Sequence, residues 1–273
     1  MEIPMKLSYF SLILLLCVTI SVALSQPNRI INKTVPLRSD GYLIIDTYKG
    51  SIIITTHDKP GVEVNVKIEA DDPDSWDAER DVDNTEIRID GSEEEVTIRT
   101  DYKKVKHHYH SFWDWITDPF HSSYSLPLVH YTIRMPRTAG LRIKDYKSRT
   151  RIENINTGIK FNTYKGEVDI YNLVGGIDLE TYKGEVRVSF SKINSDSRFE
   201  TYKGDIKVEI PRGNGFELRT DFERRVDFTT DFDVMSIERG RKNRFYDYRG
   251  KINGGGPTLE LESKKGNVRL IAK

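Results

Sequence analysis

One four-residue phrase recurs through this chain and limits how it can fold. Thr163-Tyr164-Lys165-Gly166 returns as Thr181-Tyr182-Lys183-Gly184 and again as Thr201-Tyr202-Lys203-Gly204. A fourth copy, Thr47-Tyr48-Lys49-Gly50, stands far upstream. Looser copies are Asp145-Tyr146-Lys147-Ser148, Asp247-Tyr248-Arg249-Gly250 and Ser263-Lys264-Lys265-Gly266. The glycines at 166, 184 and 204 lie 18 and 20 residues apart. Self-similarity at such a period marks an array of stacked supersecondary units.

Each unit repeats the same internal pattern. Ile159, Phe161 and Thr163 alternate before one turn, and Ile177, Leu179 and Thr181 before the next. Val168 and Ile170, then Val186, Val188 and Phe190, then Ile206, Val208 and Ile210, alternate after the turns. A period of two places these side chains on one face of a strand. Gly50, Gly166, Gly184, Gly204, Gly250 and Gly266 are the candidate repeat-turn residues, at positions that favour a positive φ. One unit is apolar on one side only and cannot bury that side alone, whereas stacked units share an elongated core. The predicted fold is all-β, a β-solenoid or β-roll of 18–20-residue strand–turn–strand repeats.

Outward positions support stacking. Lys160, Asp178, Arg198 and Glu217 occupy equivalent places in four successive units, with alternating charge, and Asp169, Arg187 and Lys207 form a mixed second column. In register, such neighbours lie roughly 5 Å apart, where opposite charges help by a few tenths of a kcal/mol. Any solvated sheet has mixed charges outside; the shared phase across four units favours ladders. Tyr146, Tyr164, Tyr182, Tyr202 and Tyr248 form one expected row, read as structural shielding. Lys147, Lys165, Lys183, Lys203 and Arg249 form another, relieved by Glu167, Glu185 and Asp205.

Residues 1–25 read as a secretory signal. Lys6 precedes an apolar run, and Ala23-Leu24-Ser25 supplies small residues before Gln26. An uncleaved anchor would still place the remainder outside the cytoplasm; after cleavage no integral membrane segment is expected. Cys17, the single cysteine, lies inside this run, and Leu14-Leu15-Leu16 ahead of it lacks the small residue of a lipid-attachment site. The mature chain therefore has neither disulfide nor thiol nucleophile. The 42 basic and 42 acidic residues balance, which gives no basic excess for nucleic acid.

Residues 30–101 read as an N-terminal β module. It holds the unit around Gly50, the strand Val62, Val64, Val66 and Ile68, and a hairpin at Asp90-Gly91. Residues 71–86 read as a solvated acidic loop. Their aspartates lack the fixed ligand spacing, central glycine and closing glutamate of a calcium loop.

Residues 102–127 depart from the repeat. Tyr109, Phe112, Trp113 and Trp115 lie here among His107, His108, His110 and His121. The segment reads as a capping or packing loop, or as a partner-binding surface anchored by its aromatics. Its histidines show no spacing familiar from zinc sites, so no metal and no cofactor are expected.

Residues 128–273 read as the repeat domain. The unit from Phe216 keeps the spacing but has Glu223 near its turn, and residues 231–246 read as irregular. Gly254-Gly255-Gly256-Pro257 lacks the Lys-Ser/Thr of a phosphate loop.

The unit at 42–54, the lead-in Val129-Tyr131-Ile133-Met135-Pro136 and the repeats through residue 210 resemble the putative adhesin family, exported and largely bacterial proteins of strand–turn–strand repeats. The resemblance weakens across 216–256. It implies a β-solenoid or β-roll and carries no catalytic residues. The expected role is non-catalytic: a structural or surface-binding protein of the periplasm, outer envelope surface or medium, with a cell-surface protein or glycan as partner. Alternatives are a regulatory or sensory envelope module, and a polysaccharide-acting β-helical enzyme using Glu180 and Glu200.

Overall fold

The computed structural model describes residues 26–105, 125–239 and 245–273. Among them the chain is almost entirely β: seventeen strands join one sheet, with one short helix. The strands are β1 (Asn28–Val35), β2 (Tyr42–Asp46), β3 (Lys49–His57), β4 (Val62–Glu69), β5 (Glu86–Gly91), β6 (Glu95–Asp101), β7 (Leu128–Pro136), β8 (Gly140–Asp145) and β9 (Lys147–Glu153). They continue as β10 (Ile159–Thr163), β11 (Glu167–Gly175), β12 (Ile177–Ile193), β13 (Ser197–Ile210), β14 (Phe216–Thr230), β15 (Met235–Arg239), β16 (Phe245–Ile252) and β17 (Thr258–Ala272).

Successive repeats pair parallel and in register. Phe161 lies beside Leu179, which lies beside Phe199. The half of each repeat before its turn joins one run: β6, β2, β8, β10, then the first halves of β12, β13, β17 and β14. The half after the turn joins a second run: β7, β3, β9, β11 and the second halves of the same four strands. Parallel strands with a buried face need apolar residues on every second position, and the repeats supply them. Ile143, Phe161, Leu179 and Phe199 from the first run share one buried cluster with Ile152, Ile170, Val188 and Val208 from the second.

Antiparallel pairs occur only at the ends. β1, β4 and β7 pair antiparallel at one, as do β5 and β6. At the other, β16 pairs with the first half of β14 and with β15.

Three sequence expectations are corrected. First, β14 does not follow β13 in space: β17 lies between them, parallel to both. The outward column therefore runs Lys160, Asp178, Arg198, Glu260 and Arg219, and Glu217 pairs instead with Thr258. Ser263-Lys264-Lys265-Gly266 fits the β13 turn better than Asp221-Phe222-Glu223 does, because only a glycine fits beside Gly204. A Cβ at Gly266 would stand 2.0 Å from the Gly204 carbonyl oxygen. Second, residues 231–246 contribute β15 and the start of β16. Third, the acidic loop contains a helix, α1 (Ala78–Asn84), with Ala78 and Val82 buried on one side. Their i, i+4 spacing gives it an apolar stripe, and Glu79 and Asp81 favour its N-terminal turn.

Candidate functional site

The repeated phrase builds a ladder on the molecular surface. Tyr48, Tyr146, Tyr164, Tyr182 and Tyr202 stack ring on ring, with centroid steps of 4.5, 5.0, 4.7 and 4.8 Å and interplanar angles of 10° or less. The backbone sets this step. The Lys147 N–H donates to the Tyr48 carbonyl, Lys165 to Tyr146 and Lys183 to Tyr164, at 2.7–2.8 Å, so strand pairing continues through the turn. Rungs spaced like β-strands leave the rings little choice but to lie parallel.

Glycine permits the close approach. A Cβ at Gly184 would lie 2.1 Å from the Gly166 carbonyl oxygen, and one at Gly204 would lie 2.0 Å from that of Gly184. Gly50 plays the same part against Val129, with φ of 132°. Gly166 lacks a left-handed φ; its own Cβ would meet the Ser148 carbonyl at 2.7 Å. Gly250 lies off this column, in the antiparallel β16, and has no left-handed φ either. Tyr248 is likewise absent from the ladder and packs on Phe228, with centroids 4.6 Å apart. Tyr48 takes the remaining place, at the opposite end.

Before each tyrosine stands a buried hydroxyl or carboxyl, and before that an outward polar side chain. The buried column comprises Thr47, Asp145, Thr163, Thr181 and Thr201, and continues in Ser263, which precedes Lys264. Asp145 accepts hydrogen bonds from the Ser148 N–H, the Ser148 hydroxyl and the Thr163 hydroxyl at 2.8, 2.6 and 3.0 Å. Burial pushes its carboxyl above the ordinary range, and these donors only partly offset the effect. The hydroxyls of Thr181, Thr201 and Ser263 find no partner among the described residues.

The outward column runs Asp46, Lys144, Asn162, Glu180, Glu200, Glu262 and Asp221. Between it and the tyrosines lies an open groove of about 900 Å³. Asn162 donates to Glu180 at 2.9 Å. Arg198 donates to Glu200 at 2.8 Å and to Glu262 at 2.7 Å. Sequence reading paired Glu180 with Glu200 but missed Glu262, because it took β14 rather than β17 as the next rung. A usable signal existed: Leu261, Ser263, Gly266, Val268 and Leu270 repeat the spacing of Phe199, Thr201, Gly204, Ile206 and Val208.

Two boundaries close the ladder. At one end Tyr102 meets Tyr48 edge-on at 6.2 Å, and its hydroxyl donates to the Pro127 carbonyl. Lys49 beside it binds Asp71 at 2.7 Å and Ser125 at 2.9 Å. At the other end the Lys264 ammonium stands 5.9 Å from the Tyr202 centroid. Residues 102–105 and 125–127 thus root the aromatic insertion beside Tyr48. Tyr109, Phe112, Trp113 and Trp115, the insertion histidines, and the leader at 1–25 with Cys17 lie outside the described residues. Among the described residues no three His, Cys, Asp or Glu side chains form a metal set, and no helix is long and apolar enough to cross a membrane.

Residues 144–271 match the family model described as Toastrack DUF4097. No curated protein matches the chain. Similar solved structures include a putative cell adhesion protein from Clostridium sporogenes ATCC 15579, 12% identical with a TM-score of 0.47, covering 90% of this chain and 100% of that one. A putative adhesin from Bacteroides fragilis NCTC 9343 is 13% identical with a TM-score of 0.34, covering 90% and 97%. A putative lipid binding protein from Parabacteroides distasonis ATCC 8503 is 11% identical with a TM-score of 0.33, covering 89% and 96%.

Proposed function

We propose that this protein is a non-catalytic, exported β-solenoid of the cell envelope, with a structural and adhesive role toward a cell-surface protein or glycan. In this reading each repeat is one coil, and the coils share a core that the two strand runs enclose. One observation carries the proposal. Among the described residues of the repeats, the chemistry-bearing side chains lie in columns and make their contacts along and between rungs rather than converging on a point. Tyrosine stacks on tyrosine, Lys160 pairs with Asp178 at 3.1 Å, and Arg187 pairs with Asp169 at 3.3 Å.

Catalysis by Glu180 and Glu200 is disfavoured on the same ground. Glycoside cleavage needs one carboxyl held protonated and a second free to attack or activate water. Here Asn162 and Arg198 donate to the two carboxylates, and both line an open groove.

The test joins fractionation with capture. Tagged protein should appear in the envelope or medium, and should retain bound cell-surface protein or glycan. Trp113→Ala with Trp115→Ala should weaken that capture without changing the far-ultraviolet circular dichroism. Cytoplasmic retention, or no capture by the unaltered protein, would end the adhesive reading.

A further inference from the structure

We propose that β1 is a self-association edge, through which two copies of this chain pair antiparallel with Ile30 facing its own counterpart. The inference goes beyond the adhesive reading and needs no cell-surface partner.

β1 is the outermost strand at its end of the second run, beyond β7 and β4, and it pairs with β4 in unbroken register along its whole length. The Ala70 N–H donates to the Pro27 carbonyl on that side. Bonding alternates along an antiparallel strand, so the odd-numbered residues of β1 bond to β4. The N–H and C=O groups of Asn28, Ile30, Asn32 and Thr34 point to the other edge, which no strand takes among the described residues. Charge, a bulge or a covering loop keeps such an edge from pairing with another chain. The far end of the same run has the first two: β14 is irregular between Phe222 and Arg225, and it exposes Glu223, Arg224, Arg225 and Asp227. β1 has neither. Asn28, Ile30, Asn32 and Thr34 on its solvent face are uncharged, and Ile30 is 58% exposed. Its two cations point the opposite way: Arg29 donates to the Asp83 carbonyl and Lys33 to the Ile89 carbonyl, each at 2.7 Å.

Charge and amide polarity select one register for a second copy. Pairing centred on residue 29, 31 or 33 sets Arg29 against Arg29, Arg29 against Lys33, or Lys33 against Lys33, and like charges directly opposite destabilise a sheet. Centres at Ile30 and Asn32 avoid this. The Asn65 amide donates to the Asn32 side-chain oxygen at 2.5 Å, which leaves the Asn32 amide nitrogen to give. The Asn28 amide nitrogen donates to the Gln26 carbonyl at 2.8 Å, which leaves the Asn28 side-chain oxygen to accept. Centred on Ile30, Asn32 of each copy faces Asn28 of the other, donor to acceptor, twice over. Centred on Asn32, two donating amides face each other. The Ile30 register also covers an exposed isoleucine with its twin. A two-fold contact of this kind closes on itself, giving a dimer rather than a fibre.

The experiment is analytical ultracentrifugation of the full chain over about 1 to 100 μM, because one added strand makes a small interface. A concentration-dependent rise to twice the single-chain mass is expected. Ile30→Lys sets two ammonium groups against each other on the solvent face and should weaken association at least about tenfold, with the far-ultraviolet circular dichroism unchanged. Asn28→Asp with Asn32→Lys sets opposite charges face to face and should keep the dimer, whereas Asn28→Lys with Asn32→Lys should break it. In a chain carrying Cys17→Ser, Ile30→Cys should form an intermolecular disulfide, since opposed Cα atoms of such a pair lie roughly 5.5 Å apart. Asn32→Cys in the same background should cross-link far less. The proposal falls if the chain stays single at the highest concentration. It falls equally if folded Ile30→Lys associates as the unaltered protein does, if the two Asn28 and Asn32 double variants behave alike, or if Asn32→Cys cross-links better than Ile30→Cys.

Discussion

Residues 140–210 and residues 216–252 share the same alternation of apolar and polar side chains, yet they meet their neighbours differently. In the first region each strand lies parallel to the repeat before it, glycine by glycine. In the second, β14 is separated from β13 by β17, and its outer neighbour β16 runs antiparallel along residues 216–219 only. Among the described residues the second half of β14 thus has strand cover on one side. Its inward residues Val226 and Phe228 are half-buried, whereas Val188 and Val208 on interior rungs are buried. An alternating pattern makes a strand; the phrase at the turn decides whether another rung can lie against it.

The largest expected contrast lies in the core. Phe199→Ala should cost about 3–5 kcal/mol, since its side chain is fully buried between Leu179 and Leu261. Phe228→Ala should cost much less. Equal losses in chemical denaturation would erase the distinction between interior and end rungs.

Next come the glycines. Gly204→Ala drives a methyl group into a backbone carbonyl and should cost about 2–4 kcal/mol. Gly250→Ala meets Val234, Ile252 and the Asp233 carbonyl at 3.0–3.2 Å, where small shifts suffice. A loss of under about 1 kcal/mol is expected there. Comparable melting temperatures for the two variants would show that the glycine column is not what holds the rungs together.

Asp145, at the head of the interior region, sharpens the comparison through pH. Burial raises its folded pKa above the ordinary 3.8. Below 3.8 the group is protonated in both states and costs nothing. As pH rises through the folded value, the unfolded chain ionises first and the folded state loses stability. Relative to Asp145→Asn, the unaltered protein should therefore lose stability as pH climbs above about 4, until the folded carboxyl has ionised as well. A pH-independent difference in urea midpoints would refute this account.

The smallest effect belongs to the outward ladder. Arg198 bonds Glu200 and Glu262 and stands 4.0 Å from Glu260, while among the described residues Arg219 pairs only with Glu217, at 3.9 Å. Both arginines are well exposed. Arg198→Met should cost at most about 1 kcal/mol, more at low salt than at high, and Arg219→Met should have no measurable effect. The reverse order would place the ladder's weight in the end hairpin.

Much of the interior was legible because its signal is local. Phe161, Leu179 and Phe199 announce a shared face, and Tyr164, Tyr182 and Tyr202 announce a shared edge. Tyr248 misled for the same reason: Asp247-Tyr248-Arg249-Gly250 resembles the phrase, and nothing local reveals that β16 runs the other way. The groove was half legible. Glu180 and Glu200 were visible as neighbours, while Glu262 and Asp221 join them only through the placement of β17.

The amino-acid order alone determined that this chain forms short alternating strands with glycine turns, and that those strands pool their apolar faces. Period-two alternation and the phrase at each turn are properties of a few consecutive residues, so they need no context. Which strand lies beside which was decided by packing across the whole molecule. A strand's edge offers the same N–H and C=O groups to any partner. At the β13 edge the turn chemistry of Gly266 and the apolar run of Leu259, Leu261, Val268 and Leu270 fit the exposed rung, and β14 was left to the outside.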